Sequence, residues 1–387
     1  MPVEGAAGKG LATVDKYYQD YGGRARELKK QGKKIIGYLC AYVPLEMITA
    51  AGFIPFRIKG SVHEPITKAD TQMETIACPL VRSCFDMALK GSYDFLDGLV
   101  IPHACDSICR TYDIWKYNLG LPYSHLVDVP HSTDDSSLEF FKAVLGTFRI
   151  SLGRFAGKEL SGEELTQAVQ VYNQNRAKVR ELYELRKTEP PLISGTEVNK
   201  ALVAAMSIPV VESGELLSSV IDEVKARASV LPGKSLRIMV VGAQVDDMAF
   251  IDLIENSGAS VVADDLCPGA REYGADVEPS QNPIDGIAER YLRKINCPRT
   301  YREKTGTYEE YLERRFGHIG LAIEEFKVDG VILYVYKYCD PFGFEVPAMK
   351  SYIESKGAPV LYLEDEYSMS TIGRLRTRIQ AFLEMIG

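Results

Sequence analysis

Cysteine is the residue type in this chain best suited to chemistry, and the sequence contains eight. They are Cys40, Cys78, Cys84, Cys105, Cys109, Cys267, Cys297 and Cys339. Cys78, Cys105 and Cys339 are each followed by proline or aspartate, which begin or cap helices. A thiol at a helix N-terminus is favoured as thiolate, and thiolates from scattered positions are typical ligands of iron–sulfur clusters. The pattern therefore favours an iron–sulfur cluster on Cys78, Cys105 and Cys339, in which three protein thiolates would leave one iron free of protein sulfur.

Other cofactor chemistry is not indicated by the spacing. Neither Gly37 nor Gly242 begins a G-x-G-x-x-G run, and no G-x-x-x-x-G-K-[ST] run occurs, which argues against a nucleotide cofactor. The cysteines form no C-x2-C pair, and no histidine stands at zinc-finger spacing. His103 lies two residues before Cys105 on a predicted strand, so it should share a face with that thiol. It is either a site residue or an ordinary loop histidine.

A repeated pattern predicts the elements that must position these thiols. An apolar run ends at Gly37, a helical stretch follows, and Gly52 precedes a second apolar run. The same order recurs between Gly242 and Gly258. Each copy is typical of a strand, a helix with a glycine C-cap and a second strand, in a parallel sheet covered on both faces.

A second repeat places two thiols where strands should end. The stretches FLDGLVIPHACD, ending at Asp106, and VDGVILYVYKYCD, ending at Asp340, both run from Asp-Gly through an apolar strand to Cys-Asp. Open parallel sheets bind ligands at the carboxyl ends of their strands, so Cys105 and Cys339 could converge on one site. The predicted fold class is α/β, with two Rossmann-like (flavodoxin-like) parallel-sheet lobes and a helical linking region. The predicted domains are an N-terminal helical segment at 1–32, a first lobe at 33–135, the linking region at 136–230 and a second lobe at 231–387.

Composition limits the function further. The 387 residues are 46% hydrophobic and 25% charged, as in an ordinary globular protein. A net charge of −8 argues against a nucleic-acid partner. No apolar stretch is long enough for a membrane helix, and the N-terminus lacks the apolar segment of a secretory signal. We therefore expect a cytoplasmic protein, in which thiols are seldom paired as disulfides.

Several stretches carry a family resemblance. The runs GYLCAYVPLEMITAAGFIPFRIKG, ACPLVRS, ACDSICRTYDIWKYN and EEFKVDGVILYVYKYCDPFGFEVPAMKSYIESKGAPVLYLEDEY resemble the 2-hydroxyacyl-CoA dehydratase and benzoyl-CoA reductase family, in the same order. The resemblance covers nearly the whole chain from Lys33 onward. It implies two Rossmann-like lobes with a 4Fe–4S cluster between them, held by three cysteines that match Cys78, Cys105 and Cys339.

The resemblance also implies an activity and partners. Enzymes of this family act on acyl-CoA thioesters. They either expel a hydroxyl group through a ketyl radical anion or reduce an aromatic ring. A homologous second subunit has its own cluster, and an ATP-dependent iron–sulfur activator protein supplies the low-potential electron. Glu46 matches a family carboxylate and is expected to act either as a base or as a first-turn helix residue.

The remaining cysteines leave alternatives open. Cys84 and Cys109 lie near two predicted ligands, and Cys109 is one helical turn beyond Cys105, where it could add a ligand or hold part of a second cluster. One branch of the superfamily holds a double-cubane cluster on six cysteines and reduces small molecules. An electron-relay subunit is a further alternative. Ordinary packing is expected for Cys84, Cys267 and Cys297. It is favoured for Cys40 as well, although that residue lies at a strand end and could line the site.

Overall fold

The computed structural model describes residues 9–227 and 235–387, and within them the chain forms two four-stranded sheets. The first sheet has the order β2-β1-β3-β4 and the second β6-β5-β7-β8, with every pairing parallel. The strands are β1 (Ile35–Tyr38), β2 (Ile54–Arg57), β3 (Gly98–Pro102), β4 (Tyr123–Val127), β5 (Leu236–Gly242), β6 (Ala259–Asp265), β7 (Gly330–Tyr336) and β8 (Val360–Asp365). The prediction of two parallel-sheet lobes is confirmed. The bounds of the four domains stay predictions, and the boundary between 230 and 231 lies outside the described residues.

Helices surround both sheets. The first half contains α1 (Gly10–Gln19), α2 (Gly23–Lys30), α3 (Leu45–Ala50), α4 (Pro79–Leu89), α5 (Asp106–Leu119), α6 (Asp135–Ala156), α7 (Gly162–Glu184), α8 (Gly195–Ala205) and α9 (Val210–Lys225). The second half contains α10 (Ala249–Glu255), α11 (Ala270–Tyr273), α12 (Pro283–Glu289), α13 (Tyr308–Glu325), α14 (Asp340–Gly343), α15 (Val346–Ser355) and α16 (Ile372–Ile386). A π-helical turn at Arg290–Lys294 continues α12. None of these helices is both long and apolar enough to cross a membrane.

The repeated glycines end helices, as the pattern predicted. Gly52 follows α3 and Gly258 follows α10, with φ angles of +84° and +98°. Backbone in this left-handed region suits glycine because it lacks a Cβ. The chain reverses there and enters β2 or β6, so each glycine fixes where the next strand starts. Strands β1, β3, β5, β6 and β7 are buried along almost their whole length, because helices cover both faces of each sheet.

The helices between the lobes pack against both lobes. Ser161 and Ser194 cap α7 and α8 through reciprocal bonds with glutamates three residues later, which explains where these helices begin. Helix α7 packs against α3 of the first lobe and α11 of the second, and α8 packs on β6. One apolar cluster also joins the lobes directly, since it includes Phe85 of the first lobe and Phe250 of the second. The two lobes are therefore held together by a shared apolar core.

Candidate functional site

The three predicted ligands each lie at the start of a helix. Cys78 immediately precedes α4, Cys105 precedes α5 and Cys339 precedes α14. Cys105 and Cys339 follow the carboxyl ends of β3 and β7 by three residues. The backbone N–H of Cys78 donates to Ser107 Oγ at 3.4 Å, which ties the start of α4 to the first turn of α5. These thiols therefore lie on the local elements that their neighbouring residues predict.

The electrostatics of the three thiols indicate that they are neighbours. Burial raises the pKa of Cys339 well above its ordinary value, and the nearby Cys78 and Cys105 thiols raise it further. Burial likewise raises the pKa of Cys105 to about 12, and Cys78 adds to this rise. Such thiols stay protonated at neutral pH unless a cation replaces the proton. Cys78 is buried, whereas Cys105 and Cys339 are partly exposed, so the three thiols lie near the surface of the core.

A second thiol set consists of Cys40, Cys267 and Cys297. Burial raises the pKa of Cys40, and the Cys267 and Cys297 thiols raise it further. Burial also raises the pKa of Cys297, against the opposing charge of Arg271, and the Cys267 thiol again raises it. Arg271 Nη1 donates to Cys267 Sγ at 3.3 Å. Ordinary packing was expected for each of these residues separately, yet the fold gathers them.

The two sets adjoin each other. The Cys297 thiol raises the pKa of both Cys105 and Cys339. Three of the six thiols belong to the first lobe and three to the second, and we call this region the thiol interface. Its members are Cys40, Cys78, Cys105, Cys267, Cys297 and Cys339.

A strand-end rule could have found part of the second set. Cys40 follows the end of β1 by two residues, and Cys267 follows the end of β6 by two residues. Cys297 follows the π-helical turn at Arg290–Lys294, and no strand precedes it directly. Its place at the interface depends on the path of this turn, which the sequence did not reveal.

Of the two other cysteines, Cys84 also adjoins this region, since burial raises its pKa and the Cys78 thiol adds to the rise. Cys84 is fully buried in the apolar core beside α5 and the second lobe. Cys109 lies on α5 one turn beyond Cys105, whose carbonyl accepts its backbone N–H at 2.9 Å. Burial raises the pKa of Cys109, and the charges that then affect it most are Arg110, Asp106 and Asp113 of the same helix. Ligation by Cys109 stays a prediction, and this environment gives it no support.

A buried cation lies beside the second thiol set. Arg57, the last residue of β2, is 2% exposed, and its Nη2 donates to Gln244 Oε1 at 2.7 Å. Its Nε and Nη1 are buried without a hydrogen-bond partner. Burial lowers the pKa of Arg57, but the neighbouring Tyr38, Cys267 and Cys40 raise it by more. The charge of Arg57 in turn opposes the rise that burial causes in the pKa of the Tyr38 hydroxyl.

The donors at the thiol interface are sulfur atoms, the ligand type that iron–sulfur clusters take. Among the described residues, no three His, Cys, Asp or Glu side chains are grouped as they would be around one ion. An iron–sulfur cluster occupies the space between its ligands, so its thiolates stand farther apart than those of a single-ion site. Clusters with thiolate ligands carry negative charge, which the unused donors of Arg57 would offset. The chemistry of the donors matches an iron–sulfur group, and the group itself stays a prediction.

Glu46 lies away from these thiols, in an ion pair. Its side chain is fully buried, its carboxylate pairs with Arg176 of α7, and it accepts a hydrogen bond of 2.8 Å from the Tyr291 hydroxyl. Burial acts to raise the pKa of Glu46, but Arg176 and Arg290 lower it to below its ordinary value. A carboxylate with a lowered pKa and two strong donors is a weak base. Its role as a base stays a prediction.

His103 lies on the open side of the β3 loop. Its Nδ1 is 2.9 Å from Asp128 Oδ1, and its ring meets His131 edge to face at 5.8 Å. The His103 side chain is 42% exposed. Arg299 Nη2 donates to the His103 carbonyl at 3.3 Å and so links this loop to the segment that carries Cys297. His103 is thus near the interface along the chain, with its ring in a polar, half-exposed setting.

Comparison with known proteins identifies relatives along nearly the whole chain. The chain is 26% identical to the (R)-phenyllactyl-CoA dehydratase beta subunit of Clostridium sporogenes, covering 97% of this chain and 100% of that subunit. It is 26% identical to one subunit of the benzoyl-CoA reductase of Thauera aromatica, covering 94% and 95%. It is 24% identical to the beta subunit of (R)-2-hydroxyglutaryl-CoA dehydratase of Acidaminococcus fermentans, covering 92% and 94%.

These relatives agree with a family model. The model of the 2-hydroxyglutaryl-CoA dehydratase D-component matches residues 40–386, which include every cysteine of the thiol interface. The resemblance found in the sequence is thereby confirmed. The chain belongs to the 2-hydroxyglutaryl-CoA dehydratase D-component family, whose members include dehydratase and benzoyl-CoA reductase subunits.

Proposed function

We propose that this chain is the iron–sulfur subunit of a low-potential enzyme of this family. One observation supports the proposal: Cys78, Cys105 and Cys339 each precede a helix, and the Cys78 thiol acts to raise the pKa of the other two. Cys78, Cys105 and Cys339 would hold a 4Fe–4S cluster as thiolates, and the cluster would supply single low-potential electrons. The residues of the chain would hold it in place and exclude water from it.

The helix starts favour the thiolate form. The backbone N–H of Ile108 lowers the pKa of Cys105, and that of Phe342 lowers the pKa of Cys339, in opposition to burial. Two N–H groups, of Val81 and Leu80, do the same for Cys78. These donors stabilise sulfur when it is negatively charged, and so they support ligation once iron replaces the thiol proton.

The relatives guide the proposed substrate and partners. Two of them are named as beta subunits of acyl-CoA dehydratases and one as a subunit of benzoyl-CoA reductase. We therefore propose a coenzyme A thioester as substrate, a homologous second subunit and an ATP-dependent iron–sulfur activator. The reaction would be either ketyl-radical dehydration or reduction of an aromatic ring.

The second thiol set favours a different member of this superfamily. If only Cys78, Cys105 and Cys339 were ligands, then Cys40, Cys267, Cys297 and the unpaired Arg57 would have no function at the interface. Six ligands would use all these thiols, as in a double-cubane cluster, whose proteins reduce small molecules. We propose this second function because both sets adjoin each other and both lobes contribute equally. An electron-relay subunit has no comparable observation in its favour.

Metal analysis of the anaerobically purified chain tests both proposals. Three ligands predict about four iron atoms per chain and six ligands about eight, with a similar amount of acid-labile sulfide. We expect about four, as the first proposal requires, and a count near eight would favour the second. Iron-free protein after reconstitution with ferrous iron and sulfide would refute both functions.

Single substitutions separate the two ligand sets. Cys339→Ser should reduce the iron content under either proposal, whereas Cys297→Ser should reduce it only with six ligands. Cys109→Ser is the matched control, because this thiol lies on α5 outside the interface. Addition of acyl-CoA thioesters, followed by electron paramagnetic resonance, then tests the substrate class. A spectrum that changes with the thioester supports the dehydratase or reductase, and one that stays unchanged supports the small-molecule reductase.

A further inference from the structure

Helix α6 presents a stripe of largely apolar side chains to solvent. Phe140 and Ile150 are 51% and 58% exposed, and Ala143 and Thr147, which lie between them, are exposed as well. Because these positions are spaced three or four residues apart, the four side chains follow one face of the helix, which we call the α6 stripe. The exposed face of a surface helix is ordinarily polar, as it is on α7, where glutamate and glutamine occupy most of the exposed positions.

The α6 stripe is separate from the face through which α6 packs on the first lobe. That inner face consists of buried residues, among them Phe141, Leu145 and Phe148. Within the described part of the chain no element covers the outer face, so α6 is apolar on two sides and buried on one. A second partner on the outer face would remove this apolar surface from water.

The charges at the two ends of the α6 stripe are of opposite sign. Asp135 and Glu139 lie at its amino end, with side chains that are 98% and 70% exposed, and each also contacts a cation of its own chain. Arg154 lies at the carboxyl end, is exposed, and forms no ion pair with any described residue. An antiparallel second α6 helix would bring its acidic end to this basic end. It would also place the helix dipoles in opposition, so that partial charges of opposite sign meet at both ends.

The α6 stripe is self-complementary in this orientation. Phe140 and Ile150 each lie five positions from residue 145, and Ala143 and Thr147 each lie two positions from it. A twofold axis near residue 145 therefore brings Phe140 of one copy to Ile150 of the other, and Ala143 to Thr147. The large side chains meet at the two ends, and the small ones let the helices approach closely at the centre.

A groove beside Ile150 gives the opposing Phe140 ring a place to pack. It has a volume of about 740 Å³ and lies between α6, the loop at 157–160 and α12. Gly146 and Gly153 line it from α6, and a Cβ atom added at Gly146 would meet no atom within 4 Å. An aromatic side chain that enters a pocket on its partner is a typical anchor of a stable interface.

We propose that a second copy of this chain docks on α6, with the two α6 helices antiparallel about a twofold axis near residue 145. The interface is isologous, so each copy contributes the same stripe, the same groove and both charged ends. This proposal is independent of the iron–sulfur function and of how many thiols bind iron. It assigns this surface to an identical chain, and a homologous subunit would bind elsewhere.

Sedimentation velocity of the full chain over a range of concentrations tests the interface. The wild type should form a concentration-dependent dimer. Ile150→Glu would bury one charge per copy in the stripe, so it should raise the dissociation constant of the dimer by at least about tenfold. Leu321→Glu is the matched control, because Leu321 is 60% exposed on α13, outside the stripe, and it should leave this constant unchanged. Both substituted side chains are exposed, so circular dichroism should show the same folding for both variants.

Charge reversal tests the antiparallel orientation. At low ionic strength, Glu139→Lys and Arg154→Glu should each weaken the dimer, whereas the double variant should bind more tightly than either, because its charges are exchanged between the two ends. A double variant no tighter than the single ones would refute the antiparallel arrangement. A wild type that stays monomeric, or a dimer that Ile150→Glu leaves unaffected, would overturn the proposal. A monomeric wild type that binds a homologous subunit through this stripe would overturn it as well, since that subunit would then be the occupant.

Discussion

Replacing Glu46 by glutamine distinguishes a structural role of this carboxylate from a role as a base. Its two donors, Arg176 and Tyr291, are buried with it. Glutamine keeps the shape and one acceptor oxygen, but it leaves the Arg176 guanidinium charged, 2% exposed and without its counterion. Removing one partner of a buried pair costs about 3 to 5 kcal/mol. Because an acceptor remains, Glu46→Gln should lower the free energy of unfolding by about 3 kcal/mol.

Urea unfolding of the cluster-free chain measures this change. Trp115 is the single tryptophan and is fully buried in the first lobe, so its fluorescence reports on unfolding there. Glu163→Gln is the matched control, because Glu163 lies exposed in the first turn of α7, the helix that carries Arg176. The control should change the free energy of unfolding by less than about 0.5 kcal/mol.

The pH dependence gives an independent check on the same pair. Despite its burial, Glu46 has a lowered pKa because of Arg176 and Arg290. Glu46 therefore binds a proton less readily in the folded chain than in the unfolded chain. Its ionised carboxylate stabilises the fold fully above about pH 4.3, the ordinary glutamate pKa. The effect is lost as the pH falls through the lower folded pKa. The difference in stability between wild type and Glu46→Gln should shrink over this acidic range.

Two results would refute this account of Glu46. Equal unfolding midpoints for Glu46→Gln and Glu163→Gln would show that the ion pair does not stabilise the fold. Full stability together with complete loss of turnover would instead identify Glu46 as a base.

The thiols and the second sheet can be tested by three further measurements. Cys78→Ser should lower the iron content of the anaerobically reconstituted chain, while Cys109→Ser should leave it unchanged; equal losses would contradict the ligand assignment. Burial raises the pKa of Cys105 to about 12, so this thiol should react with iodoacetamide at pH 8 far more slowly than a free cysteine. Peptide mass spectrometry measures the rate, and a rate equal to that of free cysteine would contradict the raised pKa. Gly242→Ala should lower the midpoint of urea unfolding, because an added Cβ would lie 2.3 Å from the Tyr334 carbonyl oxygen on the neighbouring strand. An unchanged midpoint would mean that β5 and β7 can move apart without cost.

The fold was predictable because its signals are local. Gly52 and Gly258 mark helix ends, and the apolar runs before and after them mark buried parallel strands. Cys105 and Cys339 could be assigned to one site because each follows a strand within a repeated motif. Helix starts and strand ends are properties of a few neighbouring residues, so the sequence alone carries them.

The rest of the site depends on long-range packing. Glu46 was expected close to a site from its position after the first strand, yet its partner Arg176 lies 130 positions away on α7. Cys297 reaches the interface through a π-helical turn, which the pattern of residues did not predict. Arg57 is one of many arginines in the sequence, and only the fold shows that two of its nitrogens are buried without a partner.

The division of the thiol interface between two lobes has a mechanical consequence. Cys105 and Cys339 are 234 positions apart in the sequence, so an inorganic group bound to both would close a very long loop of chain. A covalent bridge over such a loop would destabilise the unfolded chain by about 5 kcal/mol through lost conformational entropy. A bound cluster would thus act as a removable cross-link as well as an electron carrier. Oxidative destruction of the cluster would take away this cross-link, and the two lobes would then separate and unfold more readily than in the loaded protein.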